Sequence, residues 1–170
     1  MSKTKIFLTL TGYQLTWIAC VFGEKNFDQP LFGIYLGTLY FVLYFYFNKN
    51  KFKFLKISLS ISIPGYFFDS LMVYYSIYEF NVSLIIGVLP AWMLILWLSF
   101  STLFDEILTI FKKYKIIGVI LSSFLAPLTY YVGEPIGIIS ISNIWLFFSI
   151  MIIFWVLLMI YYLFFVLKED

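Results

Sequence analysis

Histidine and arginine are absent from this 170-residue chain, and cysteine occurs once, at Cys20. Without histidine there is no His-based catalytic triad, no imidazole metal ligand and no histidine-ligated haem. A single cysteine makes neither an internal disulfide nor a thiolate metal site. Without arginine there is no bidentate clamp for phosphate or carboxylate, and no glycine-rich phosphate loop occurs either. No metal and no cofactor is therefore expected. Any catalysis has to rest on Asp, Glu, Lys, Tyr, Ser, Thr or Cys20. Codon usage accounts for part of this, since plentiful Phe, Tyr, Ile, Asn and Lys beside no Arg has the look of an A·T-rich genome. Charge is scarce as well: 12% of residues are charged and the net charge is +2, scattered in small clusters. A nucleic-acid partner has no electrostatic footprint here.

What fills the chain is apolar, at 63% of residues. A soluble domain needs a polar shell that this composition cannot supply, whereas a chain solvated by lipid needs polar residues only at its ends and turns. Six apolar stretches stand out, at 6–22, 31–47, 57–75, 90–111, 116–133 and 144–167. Each falls near the roughly 17–25 residues that a helix needs to cross about 30 Å of hydrocarbon. A membrane β-barrel alternates polar and apolar residues, while these runs are apolar on every side. The expected fold is all-α and integral to the membrane: one transmembrane domain over 1–170, a six-helix bundle.

The lysines orient it. Lys3 and Lys5 precede the first stretch, Lys49, Lys51, Lys53 and Lys56 lie between the second and third, Lys112, Lys113 and Lys115 between the fourth and fifth, and Lys168 follows the sixth. All fall on one side of a six-span chain. The other side has only Lys25, between Glu24 and Asp28, with Glu79 and Glu134 in the remaining loops. Positive short loops stay cytoplasmic, so both ends are expected inside. A secretory signal is the alternative for the first stretch, with Cys20 after Ala19 as a lipoprotein-like cleavage site. Trp17 stands where such sites usually have an aliphatic residue, and Thr9, Thr11, Tyr13 and Gln14 make the run polar, so retention as a span is the preferred reading.

Polar residues inside the spans are the candidates for function. Counting from the lysine-marked ends places Asp69 roughly 20 Å up, Gln14 roughly 14 Å up with Trp17 one turn above, and Asp105 roughly 10 Å from the inner end. Ser101, Thr102 and Asp105 share one helix face by their spacing. Pro127 and Thr129 fall near the level of Asp69. Together with Trp97 these residues could form one polar cleft open to the outer side. Simpler readings stand beside this: Gln14, Ser101, Thr102 and Thr129 as interhelical hydrogen bonds, Gly33 and Gly37 as a GxxxG packing two helices of one chain or of a dimer, and Pro64-Gly65 and Pro127 as kinks. Glu106 can reach the headgroups and meet Lys112 or Lys113. Asp69 differs, because a carboxylate at depth costs at least about 2.5–3.5 kcal/mol on insertion scales. Structural lock and functional group are equally open for it. In either role it is expected to point into the bundle, close to Trp17, Trp97 or the Pro127 region. Residues 134–142, too short to span again, are expected to lie along the outer interface or fold back over the cleft mouth.

Several pieces resemble one known group: Gln14-Leu15-Thr16-Trp17-Ile18-Ala19-Cys20, Phe68-Asp69-Ser70, Pro90-Ala91-Trp92 with Leu96-Trp97, Phe100-Ser101-Thr102, and Ala126-Pro127-Leu128-Thr129-Tyr130 followed by Gly133. In this order, through Gly137, they look like the bacterial membrane family called domain of unknown function 2878. Two departures matter: Asp105-Glu106 stands where the family leads one to expect an Asn-His pair, and Ala126 where it leads one to expect Gly. If that pair has a chemical role in relatives, this chain lacks it or uses carboxylates instead. The resemblance implies a bacterial inner-membrane protein, often encoded near genes for fatty-acid modification, and brings no established activity.

Three functions stay open. The preferred one is a non-catalytic module that handles a lipid or another apolar metabolite, or supports a membrane-associated lipid-modifying enzyme; membrane lipid is then its main partner. The second is a small proton-coupled transporter in which Asp69 titrates, with discontinuous helices at Pro64-Gly65 and Pro127 as the pointer. The third is a membrane-embedded enzyme using Asp69, Asp105 or Glu106.

Overall fold

A computed structural model describes residues 3–167, so Lys168 lies outside the described residues. The chain is helical, with α1 at Lys3–Lys25, α2 at Pro30–Phe47, α3 at Lys51–Tyr74, α4 at Met93–Glu106, α5 at Lys115–Tyr131, a one-turn α6 at Gly133–Ile136 and α7 at Ile144–Tyr161. A 3-10 turn, Leu108–Lys112, follows α4, and a π turn, Tyr162–Val166, extends α7. Four helical stretches, Lys3–Lys25, Pro30–Phe47, Lys115–Ile136 and Ile144–Val166, are long and apolar enough to cross a membrane. Their outward faces fit that solvent: Leu8, Leu39, Phe124 and Leu157 are all at least 60% exposed, apolar surface that lipid accepts and water does not.

The other two expected spans differ from expectation. α3 is long enough, yet three lysines at its start, Ser58, Ser60, Ser62, Asp69 and Ser70 lower its hydropathy. α4 has 14 residues instead of the stretch 90–111. Its start is delayed because Leu89–Pro90 is a strand, and its last turns tighten into the 3-10 segment.

Hydropathy also offered no strands, and two short antiparallel pairs are present. β1, Tyr78–Phe80, pairs with β4, Ile139–Ile141, and β2, Ile85–Ile86, pairs with β3, Leu89–Pro90. Neighbouring loop segments satisfy their backbone groups on each other in this way.

Two compact units are present, Met1–Phe68 with Val82–Leu108 and Asp69–Asn81 with Thr109–Asp170. In the first, α1 packs on α2 and both pack on α4. The glycines at 33 and 37 make that contact within the chain. A Cβ on Gly33 would lie 2.5 Å from the Cys20 backbone, and one on Gly37 would meet Thr16 and Ile95. Gly65 likewise receives the Trp97 ring.

In the second unit α5 packs against α7. Asn143 caps α7 by accepting from the Leu146 N–H, 3.1 Å, an arrangement that satisfies an otherwise bare first-turn donor. Gly137, at φ +81°, ends α6, with its N–H on Glu134 O and the Ile138 N–H on Gly133 O. This turn delivers the chain into β4. Segment 134–142 is therefore ordered by pairing, not a free loop.

Candidate functional site

The second unit holds a carboxyl site on Asp69, near the C-terminal end of α3 and fully buried. Just beyond α3 the backbone reverses at Ser76, φ +52°, with the Ile77 N–H on Met72 O at 2.9 Å. That reversal brings β1 back so that Tyr78, also fully buried, donates its hydroxyl to Asp69 Oδ1 at 2.5 Å. Tyr130, three positions past Pro127 on α5, places its hydroxyl 3.0 Å from both Asp69 oxygens. The two tyrosine rings lie 5.8 Å apart, and Phe147 of α7 meets Tyr78 edge-on at 6.0 Å. Burial first, and then the Asp69 carboxylate, push the Tyr78 phenol well above its usual range, so it stays a donor.

Tyr78 is held by the β1–β4 pair, with Tyr78 opposite Ile141 and Phe80 opposite Ile139. Around it the Asn81 N–H reaches Ile138 O at 2.8 Å, the Ser142 N–H reaches Ile77 O at 3.1 Å, and Asn81 Nδ2 reaches Ser140 Oγ at 2.8 Å. Glu134 Oε1 accepts the Ile141 N–H at 3.3 Å. The pairing clasps the turn after α3 to the segment before α7.

The first unit holds a separate polar cluster on α4. Asp105 Oδ2 accepts from the Tyr44 hydroxyl at 2.8 Å and from Asn48 Nδ2 at 2.6 Å. Glu106 is ion-paired with Lys5, whose ammonium also lies 5.7 Å from the Tyr44 ring centroid. Glu106 was expected to meet Lys112 or Lys113; α1 begins beside the C-terminal end of α4, and Lys5 in its first turn supplies a cation there. One turn along, Tyr40 Oη lies 2.7 Å from Thr102 Oγ1 and 3.1 Å from the Thr9 carbonyl, while Thr102 Oγ1 lies 2.7 Å from Ser99 O. Ser101 Oγ contacts Ser58 Oγ at 2.9 Å and Leu98 O at 2.6 Å. The bonds with Tyr44, Asn48, Tyr40 and Ser58 fasten α4 to its neighbours, while those to Ser99 O and Leu98 O stay within α4.

With that geometry in view, a family model described as protein of unknown function (DUF2878) matches residues 6–161. The chain belongs to this family. No curated protein and no solved structure matches it. In this DUF2878 protein the sequence candidates sort as follows. Ser101, Thr102 and Asp105 share the polar side of α4, and Trp97 is buried in the notch left by Gly65. Gln14 is exposed and Trp17 half-buried on α1. In the other unit, Asp69 meets the α5 turn just after buried Pro127, whereas Thr129 is exposed and donates to its own helix at Ala126 O, 2.7 Å. Among the described residues no group of three or more His, Cys, Asp or Glu is placed to hold a metal.

Sequence reasoning missed the tyrosines. Tyr78, Tyr130, Tyr40 and Tyr44, together with Asn48, supply most of the donors at both clusters. Tyrosine counts as aromatic bulk in a hydropathy reading, yet its hydroxyl seeks a partner when buried. Tyr130 did lie within a family-like motif, which was its only signal.

Proposed function

We propose that this protein is a non-catalytic, multi-pass module of the bacterial inner membrane that handles a lipid or another apolar metabolite, or supports an enzyme that modifies one. The observation that carries this reading is the enclosure of Asp69: a fully buried carboxyl with tyrosine hydroxyls on both oxygens. A group so engaged is suited to fastening one element to another, not to exchanging protons with a passing substrate. The transporter reading leaned on broken helices, and α3 and α5 run unbroken through Pro64 and Pro127. Asp105 Oδ2 and Thr102 Oγ1 are likewise engaged by side chains of the neighbouring α2 and the residue that follows it.

The same reading includes six crossings with both ends inside. α3 spans about 36 Å at 1.5 Å per residue, and α4 with its 3-10 extension about 31 Å, close to the thickness of the hydrocarbon. The lysine distribution sets the direction. The test is rescue of a gene deletion scored by membrane lipid profile. Asp69→Asn, which keeps an acceptor for Tyr78 and offers an N–H to the Tyr130 hydroxyl in the same volume, rescues fully if Asp69 is a lock. An abundant, folded Asp69→Asn protein that fails to rescue would show that the carboxyl itself is needed, as transport or catalysis requires.

A further inference from the structure

Near the end of α1, Glu24 is only 8% exposed. Its Oε1 accepts two hydrogen bonds from Ser83, one from the backbone N–H at 2.6 Å and one from the hydroxyl at 2.7 Å. Its Oε2 is buried and has no hydrogen-bond partner among the described residues. A buried carboxylate oxygen without a donor is costly enough that native structures pair it. Ser83 leads into the β2–β3 hairpin, which turns at Gly87, φ +69°, and is closed by the Ala91 N–H on Leu84 O at 3.0 Å. The base of the hairpin is anchored by buried Leu89 and Trp92, while its tip shows apolar side chains, with Ile85 50%, Ile86 62% and Val88 41% exposed. One carboxylate therefore joins an unsatisfied negative oxygen to an exposed apolar finger.

We propose that Glu24 and this hairpin hold one phospholipid with a primary ammonium headgroup, its ammonium on Glu24 Oε2 and its acyl chains along Ile85, Ile86 and Val88. The proposal rests on the lipid-handling reading above, which puts this end of α1 at the outer face. A charged N–H donor is the match for a buried carboxylate oxygen. A metal ion is a poor one, since it needs several oxygen ligands and no cluster of three acidic residues is present among the described residues. A lipid fits better than a soluble amine, because a soluble amine would leave the hairpin tip uncovered. Oε2 is enclosed, so the ammonium enters with a local shift of the side chains around it.

The test is native mass spectrometry of the delipidated protein titrated with phosphatidylethanolamine and phosphatidylcholine of identical acyl chains; the second has no N–H to donate. The wild-type protein should prefer phosphatidylethanolamine by about tenfold, the equivalent of one charge-assisted hydrogen bond. Glu24→Gln keeps an oxygen for Ser83 and should erase the preference at unchanged thermal stability. Ile86→Ser should weaken both lipids and keep the preference. Equal affinity of the wild-type protein for both lipids overturns the proposal without any variant, as does a preference that survives Glu24→Gln. Soluble ethanolamine that competes as well as the lipid also overturns it. Lipid retained with no headgroup preference leaves the wider reading standing, whereas no retained lipid of either kind removes both.

Discussion

Replacing Tyr78 by phenylalanine and Asp69 by asparagine or alanine dissects the buried carboxyl site. Tyr78→Phe deletes one hydroxyl that donates to Asp69 Oδ1 at 2.5 Å, while Tyr130 continues to reach both oxygens at 3.0 Å. Hydrogen bonds to charged groups contribute about 1.5–3 kcal/mol in proteins, and measured couplings inside membrane bundles reach about 1.7. The expected loss is therefore about 1–2 kcal/mol. Asp69→Asn keeps an acceptor for Tyr78, so it should cost about 1 kcal/mol or less. Asp69→Ala strands the buried Tyr78 hydroxyl, removes both carboxyl oxygens that Tyr130 reaches and leaves a void, which should cost about 2–5 kcal/mol. The double mutant of Tyr78→Phe with Asp69→Ala should fall short of additivity by about 1 kcal/mol, because each single change already removes the same bond. Unfolding in mixed detergent micelles, followed by tryptophan fluorescence, reads all four. A coupling indistinguishable from zero, or Asp69→Ala no less stable than Asp69→Asn, would refute the lock.

Alkaline pH supplies an independent handle on the same site. The Tyr78 phenol titrates well above its ordinary value of 10.0 in the folded protein, so its stabilising share is complete below about pH 10 and is lost as pH rises from there toward the folded value. Tyr78→Phe should flatten that part of the stability profile, and an unchanged alkaline slope would count against it. Gly33→Val should force α1 from α2, since even a Cβ lies 2.5 Å from the Cys20 backbone; a loss of about 1–3 kcal/mol is expected from overpacking in the same unfolding assay. Single cysteines, with Cys20 replaced, should be shielded from an impermeant reagent in spheroplasts at Lys51 and Lys113 and labelled at Asp28, Glu79 and Glu134. Labelling at Lys51 would reverse the orientation.

Helices α1, α2, α5 and α7 were readable because lipid imposes one simple demand, a long run of apolar side chains with an internally bonded backbone. α4 was not, because its ends depend on what neighbouring loops do: Leu89–Pro90 joins a strand and the segment after Glu106 tightens to 3-10, and neither choice is visible to hydropathy. Asp69 was legible for the same reason as the helices, since an acid inside an apolar run is conspicuous. Its partners were not. Tyr78 reaches it only through a turn at Ser76 and a strand pairing across more than fifty residues of sequence, contacts that no local pattern encodes. Residues 134–142 show the mixture well: too short and too rich in Pro and Gly to span, as expected, but held in place by a β1 partner that the sequence did not announce.

The account turns on what the protein holds in its native membrane. Extraction in a mild detergent, followed by mass spectrometry of the small molecules that remain bound, is the direct measurement. A lipid or another apolar metabolite retained at near-stoichiometric level, equally by the wild-type and Asp69→Asn proteins, is the predicted result. A preparation that retains none, from a protein whose vesicles take up a solute in response to a pH gradient and lose that uptake with Asp69→Asn, would contradict it.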